Sequence, residues 1–144
     1  MSSKQLQLKI ITPERVVLEE RVDSVTIPTT MGEIGVLFGH IPLVTTLKSG
    51  DIVAKVGDEV VPIAVVGGFV EIKNNEVAIL ADFAEHVSAI SDEVAARAQA
   101  RAEELKQMKD KNEIIDFERF ETELERSLTR TKIADKWRGK KYRA

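Results

Sequence analysis

The sequence predicts a β domain followed by an α-helical hairpin, and three observations predict it. All four prolines (Pro13, Pro28, Pro42, Pro62) and seven of the eight glycines precede Phe69, so chain breakers are confined to the first half. Apolar residues in that half alternate with polar ones at a period of two, the signature of half-buried strands. After Ser88 the composition turns to alanine, glutamate, lysine and arginine, the mixture that favours helix.

Taken in order, Leu6, Leu8 and Ile10 alternate with Gln5, Gln7 and Lys9, and Val25-Thr26-Ile27 follows the same rule. Val60-Val61-Pro62-Ile63-Ala64-Val65-Val66 is a denser β-branched run whose proline suggests an edge strand or a bulge. Val56-Gly57-Asp58-Glu59 reads as a turn. Glu71 to Leu80 reads as a hairpin around Asn74-Asn75, because asparagine tolerates the positive φ of tight turns. Strands at this spacing imply a small sandwich or barrel, with a domain over 1–86 and a second over 87–144. In the second, Ile90, Val94, Ala98, Leu105 and Met108, with Ala102 at the margin, fall on one stripe at about 100° per residue. Ile114, Phe117, Phe120, Leu124 and Leu128 form another. Asp110 with Glu113 resembles a capping box for the second helix, and the short connector predicts antiparallel neighbours.

Charge is distributed unevenly. Residues 1–86 carry −5 and residues 87–144 carry +2, which together make the −3 of the chain. From Arg126 onward eight basic residues face one acid, Asp135, which predicts attraction to an anionic partner. A basic helix end complementing the macrodipole is the plainer explanation. Against it, Arg119, Arg126, Arg130, Ile133 and Trp137 share one face, opposite the Phe117–Leu128 stripe, with no partner expected within the chain. Trp and Arg are enriched at binding hot spots. A second, transient contact surface follows. Nucleic acid is not the expected partner, because aromatics beyond Trp137 and Tyr142 are missing from the basic tail and the rest of the chain is acidic.

The chemistry of most enzymes is not provided for. Cysteine is absent, and His40 and His86 are the only histidines, so thiolate chemistry is ruled out and a multi-histidine metal site in one chain is not expected. No apolar run reaches the roughly 18–20 residues that span a bilayer, and residues 1–7 carry no export or transit pattern, so a cytosolic chain is expected. Gly32-Glu33-Ile34-Gly35-Val36-Leu37-Phe38-Gly39-His40 lacks the lysine and Ser/Thr of a phosphate loop; turns requiring positive φ account for its glycines.

That loop, continued through Ile41-Pro42-Leu43, together with Thr12-Pro13, Gly67-Gly68-Phe69 and the hairpin ending Leu80-Ala81-Asp82, resembles the epsilon subunit of bacterial and chloroplast F-type ATP synthases. The resemblance implies a ten-stranded β-sandwich bound to the gamma subunit and resting on the c-ring. Gly32, Glu33, Gly35, Gly39, His40 and Pro42 would lie in or near the rotor-facing loop. It further implies a non-catalytic, cofactor-free subunit that couples c-ring rotation to gamma. Its C-terminal helices would permit turnover when folded on the sandwich and block ATP hydrolysis when extended between the alpha and beta subunits. Arg119, Arg126 and Arg130, with Ile133 and Trp137 beside them, match the inhibitory contact by region and charge; Val94, Ala98, Leu105, Met108, Phe117, Phe120, Leu124 and Leu128 would form the hairpin seam. The mitochondrial counterpart shares the fold, but the missing transit peptide favours a bacterial protein, peripheral on the cytoplasmic face of the inner membrane. A structural adaptor with a permanently docked hairpin is the alternative. Some relatives bind ATP through Ile/Leu-Asp-x-x-Arg-Ala; here the frame reads Ile90-Ser91-Asp92-Glu93-Val94-Ala95, without the carboxylate and guanidinium at Ser91 and Val94, and Arg97 lies about 140° from Asp92 around a helix. No micromolar ATP binding is expected.

Overall fold

A computed structural model describes residues 4–113 and 116–143. Ten strands come first: β1 (Leu6–Ile11), β2 (Val16–Val22), β3 (Ser24–Thr29), β4 (Gly32–Leu37), β5 (Leu43–Thr46), β6 (Gly50–Val56), β7 (Glu59–Val66), β8 (Phe69–Lys73), β9 (Glu76–Leu80) and β10 (Phe83–His86). A single 3-10 turn, Val87–Ala89, leads to α1 (Asp92–Asp110) and α2 (Phe117–Trp137). The expected β-then-helical-hairpin order is therefore found.

The strands form two five-stranded sheets, β2-β1-β9-β8-β5 and β10-β7-β6-β3-β4, packed as a sandwich. Alternation does the work that period-two sequence predicts: Leu6, Leu8 and Ile10 point inward and are fully buried, as are Val25, Ile27, Ile52, Ile63, Val70 and Ile79. Asn74 and Asn75 adopt positive φ (50° and 61°) at the β8–β9 turn, and Gly57 (60°) does so at the β6–β7 turn. Gly68 cannot be replaced easily. Its φ is +106°, and a Cβ there would overlap the Leu80 carbonyl oxygen, so the Gly67-Gly68-Phe69 motif records a close passage of β8 beside the end of β9. Pro62 occupies neither an edge strand nor a bulge. β7 lies between β10 and β6 in regular register, but β10 pairs only with Ile63–Val66, so Pro62 sits where β10 no longer reaches.

The helices lie over the outer face of the second sheet, with α2 touching β6, β7 and the 3-10 turn. Ser91 caps α1 by accepting the Val94 N–H, and Ile90 just before it packs in one cluster with Ala95, a hydrophobic staple. The capping box expected at Asp110 and Glu113 does not form. Those residues close α1 in a Schellman motif, with Asn112 at φ 60°, its N–H bonded to the Lys109 carbonyl, and the Glu113 N–H bonded to that of Met108. Asp116 is the true cap of α2, its Oδ1 accepting the Arg119 N–H at 3.1 Å.

Candidate interaction surfaces

The residues expected in the rotor-facing loop lie where the two sheets meet at their edges. β4 ends one sheet and β5 ends the other, and residues 38–42 cross between them. Gly32 (φ 110°) and Gly39 (φ 86°) take backbone conformations that suit glycine. The crossing is pinned: the Gly39 N–H donates to Asn75 Oδ1 at 2.7 Å, the His40 N–H donates to the Leu37 carbonyl, and His40 Nδ1 lies 2.6 Å from the Ile41 carbonyl oxygen. Glu33, Gly35 and Pro42 are exposed. Sequence reasoning missed the apolar residues among them. Leu37, Phe38, Ile41 (73% exposed) and Val44 all face solvent within eight residues of chain, which makes this crossing a candidate interaction surface. The signal was available as an apolar run flanking glycines. Phe69 and Leu80 add a second exposed apolar spot, lining with Ile11 and Pro13 a 350 Å³ hollow beside the ends of β1 and β9.

The hairpin seam is only partly as expected. Ala98, Ala102 and Leu105 of α1 meet Phe120 and Ser127 of α2, all buried, with Val94, Met108 and Leu124 half-buried. Phe117 is 61% exposed, stacked on Phe120, and Leu128 is 41% exposed; neither belongs to the seam. Ile114 lies outside the described residues. The cause is rotation: α2 packs against two bodies, so its buried arc is displaced from Phe117 and Leu128 toward the sandwich. Arg101 closes the seam with Glu123 at 2.6 Å and Glu104 at 2.9 Å, which raises the Arg101 pKa and holds Glu123 below the usual carboxylate range.

The face of α2 expected to lack a partner has one: the sandwich itself. Ile133 is 2% exposed among Ala64, Val87, Ile90 and Ala95, with Trp137 and Tyr142 packed around that cluster. Trp137 Nε1 donates to Asp51 Oδ2 at 2.8 Å, and Lys136 Nζ approaches the same carboxylate at 2.9 Å. Arg130 pairs with Glu85 at 2.9 Å. The Arg126 and Arg130 guanidinium carbons each lie 5.1 Å from the Phe83 ring centre, in cation–π range, while Arg126 Nε is buried without a hydrogen-bond partner among the described residues. Arg119 is exposed near the hairpin tip. The sequence placed these residues on one face; it gave no hint that Asp51, Phe83 and Glu85 would converge beneath them.

Arg97, Arg101, Arg126 and Arg130 share a cavity of about 560 Å³ between hairpin and sandwich, with Glu85 and Glu123. Two of the four cations are already neutralised there, Arg101 by Glu123 and Arg130 by Glu85. Among the described residues no cluster of three or more His, Asp or Glu has metal-site geometry, and no helix is long and apolar enough to cross a membrane.

The β-sandwich domain model of the ATP synthase delta/epsilon chain matches residues 5–87. The ATP synthase epsilon chain of Desulforamulus reducens is 41% identical over 133 residues, covering 92% of this chain and 99% of that one. This chain belongs to the ATP synthase delta/epsilon family. The epsilon chain of Halalkalibacterium halodurans is 44% identical over 130 residues, covering 90% of this chain and 96% of that one. Among solved structures, a chain in the Euglena gracilis mitochondrial ATP synthase (OSCP, F1 and c-ring, rotational state 1) is 25% identical with a TM-score of 0.64, covering 94% of this chain and 80% of its own. The glycine-rich segments on which the resemblance rested coincide with two physical features here: the pinned crossing at the sheet edges and the Gly68 passage beside Leu80.

Proposed function

We propose that this chain is a non-catalytic central-stalk subunit of a proton-translocating F-type ATP synthase, in which the sandwich couples c-ring rotation to gamma and the helices inhibit ATP hydrolysis by extending into the catalytic head. One observation carries the inhibitory part. The helices stand on a small apolar cluster of their own (Ala64, Val87, Ile90, Ala95, Ile133), separate from the main sandwich core, and the rest of the α2 hold is largely polar: two ion pairs, the Trp137–Asp51 hydrogen bond and the arginines over Phe83. Lifting α2 therefore leaves the sandwich core intact, and the groups it frees, Arg126, Arg130 and Trp137, are suited to an acidic surface elsewhere. The exposed apolar crossing at residues 37–44 serves as contact with the rotor, where Glu33 and His40 lie. In this reading gamma and the c-ring are constant partners, alpha and beta are partners of the extended state, and the chain is peripheral at the cytoplasmic face of a bacterial inner membrane.

The test is removal of residues from Asn112 onward in the assembled enzyme. ATP hydrolysis should rise with assembly unaffected; unchanged hydrolysis eliminates inhibition. Arg119→Ala refines it. Arg119 is exposed, so its loss should weaken inhibition without loosening docking, whereas Arg126→Ala and Arg130→Ala should alter both and make residual inhibition more salt-sensitive. A cross-link fixing α2 to the sandwich should abolish inhibition; indifference to it would favour a permanently docked adaptor.

A further inference from the structure

We infer that residues 138–143 form a strap that locks α2 onto the sandwich, with Arg143 as its anchor across both sheets. Helix α2 ends at Trp137, and Gly139, at φ +77°, turns the chain back. The returning segment reaches β7, where the Arg143 N–H donates to the Val60 carbonyl at 2.8 Å. The Arg143 guanidinium then spans the sandwich. Its two terminal nitrogens donate to both oxygens of Glu20 on β2 at 2.6 and 2.7 Å, and Nε donates to Glu59 at 2.6 Å. Glu20 belongs to an edge strand of one sheet and Glu59 to β7 of the other, so one side chain ties the tail to both layers. The bidentate fork is the geometry in which arginine holds a carboxylate most selectively.

The strap also covers what α2 buries. Tyr142 meets the Trp137 ring edge-on, with centres 5.8 Å apart, and lies against the Ile133 cluster. Tyr142, held beside Trp137 by Arg143, adds to what keeps Trp137 on Asp51, so loosening the tail loosens the end of the helix. Glu20 feels this contact: the Arg143 guanidinium keeps its carboxyl below the usual range. Because Arg143 and its partners are partly solvated, the hold is tunable by salt.

This inference rests on reading α2 as a detachable helix, but its test does not use ATP hydrolysis. Hydrogen exchange of the full chain is compared for wild type, Arg143→Ala and the double variant Glu20→Gln with Glu59→Gln. The amides of Thr129–Trp137 should exchange about fivefold faster in both variants at roughly 50 mM salt, and the difference should shrink near 0.5 M as the pairs are screened. Wild-type exchange of α2 in both variants overturns the strap. Acceleration of β1 and β6 to the same extent also overturns it, since Arg143 would then merely hold the sandwich together. Hydrolysis by the assembled enzyme carrying Arg143→Ala is read separately: faster exchange with unaltered hydrolysis keeps the strap and refutes the inhibitory reading.

Discussion

Asp51 offers the sharpest measurement of what holds α2 down. In the docked state it is 8% exposed and accepts from Trp137 Nε1 at 2.8 Å and Lys136 Nζ at 2.9 Å. The two contacts differ in worth. Lys136 is 45% exposed, so its ion pair contributes only about 0.2–1 kcal/mol after solvent screening. The indole N–H is half-buried, and leaving it without an acceptor costs about 1–3 kcal/mol. Asp51→Ala removes both and should weaken docking by about 2 kcal/mol, roughly 30-fold in the equilibrium. Asp51→Asn keeps an amide oxygen for the indole and should cost about 0.5 kcal/mol, little more than twofold. Trp137 is the only tryptophan, so acrylamide quenching of its fluorescence reads docking directly, and exchange of α2 amides provides an independent scale. Equal loosening by the two substitutions would show that charge, not the indole hydrogen bond, is what Asp51 supplies. No change in quenching with Asp51→Ala would refute the account of the docked face.

Ile133→Ala empties the centre of the small cluster and should cost about 2–4 kcal/mol of docking while leaving the thermal unfolding of a hairpin-deleted sandwich as the reference that the variant approaches. Gly68→Ala should destabilise the sandwich itself by more than about 2 kcal/mol, because its positive φ and the Leu80 carbonyl both oppose a Cβ; a native melting temperature would contradict this. Glu20 titrates lower in the folded chain than its ordinary value of 4.5, so its pairing with Arg143 adds stability that is complete above that pH and is lost as pH falls through the folded value. The acid limb of a stability–pH profile should therefore flatten in Arg143→Ala. Isothermal titration with ATP should show no saturable heat at micromolar concentration, since Ser91 is spent as the α1 cap and Arg101 and Arg130 already hold carboxylates; a saturable isotherm would contradict this.

What could be read from the residues follows from the range of the forces involved. Strand alternation at Leu6–Ile10, the Asn74-Asn75 turn and the helix-rich composition after Ser88 are local signals, and each element stands where they put it. The number of strands came only through the family resemblance, because short strands such as β5 and β10 carry four residues and little periodicity. The α2 faces were harder. Phe117 and Leu128 are apolar and in phase with Phe120 and Leu124, so a helix considered alone places its stripe among them. The stronger pull came from residues distant in the chain, Glu85 lying 45 positions before its partner Arg130 and Asp51 86 before Trp137, which no helical projection contains. The loop motif was legible as a family mark, but its exposed apolar neighbours Leu37, Phe38 and Ile41 became meaningful only once the sheet edges were seen to leave them uncovered.

The parallel pairing of β1 with β9 has a bearing on biosynthesis. The first strand is flanked by β2 on one side and by a strand that ends at Leu80 on the other. Its sheet therefore remains incomplete until Leu80 has left the ribosome, at about 5–20 residues per second. Everything after β10 then arrives at a surface already made. Residues 138–143 emerge after the helix they lie beside, so the tail that ties α2 down can be added only once both sheets and α2 have been made.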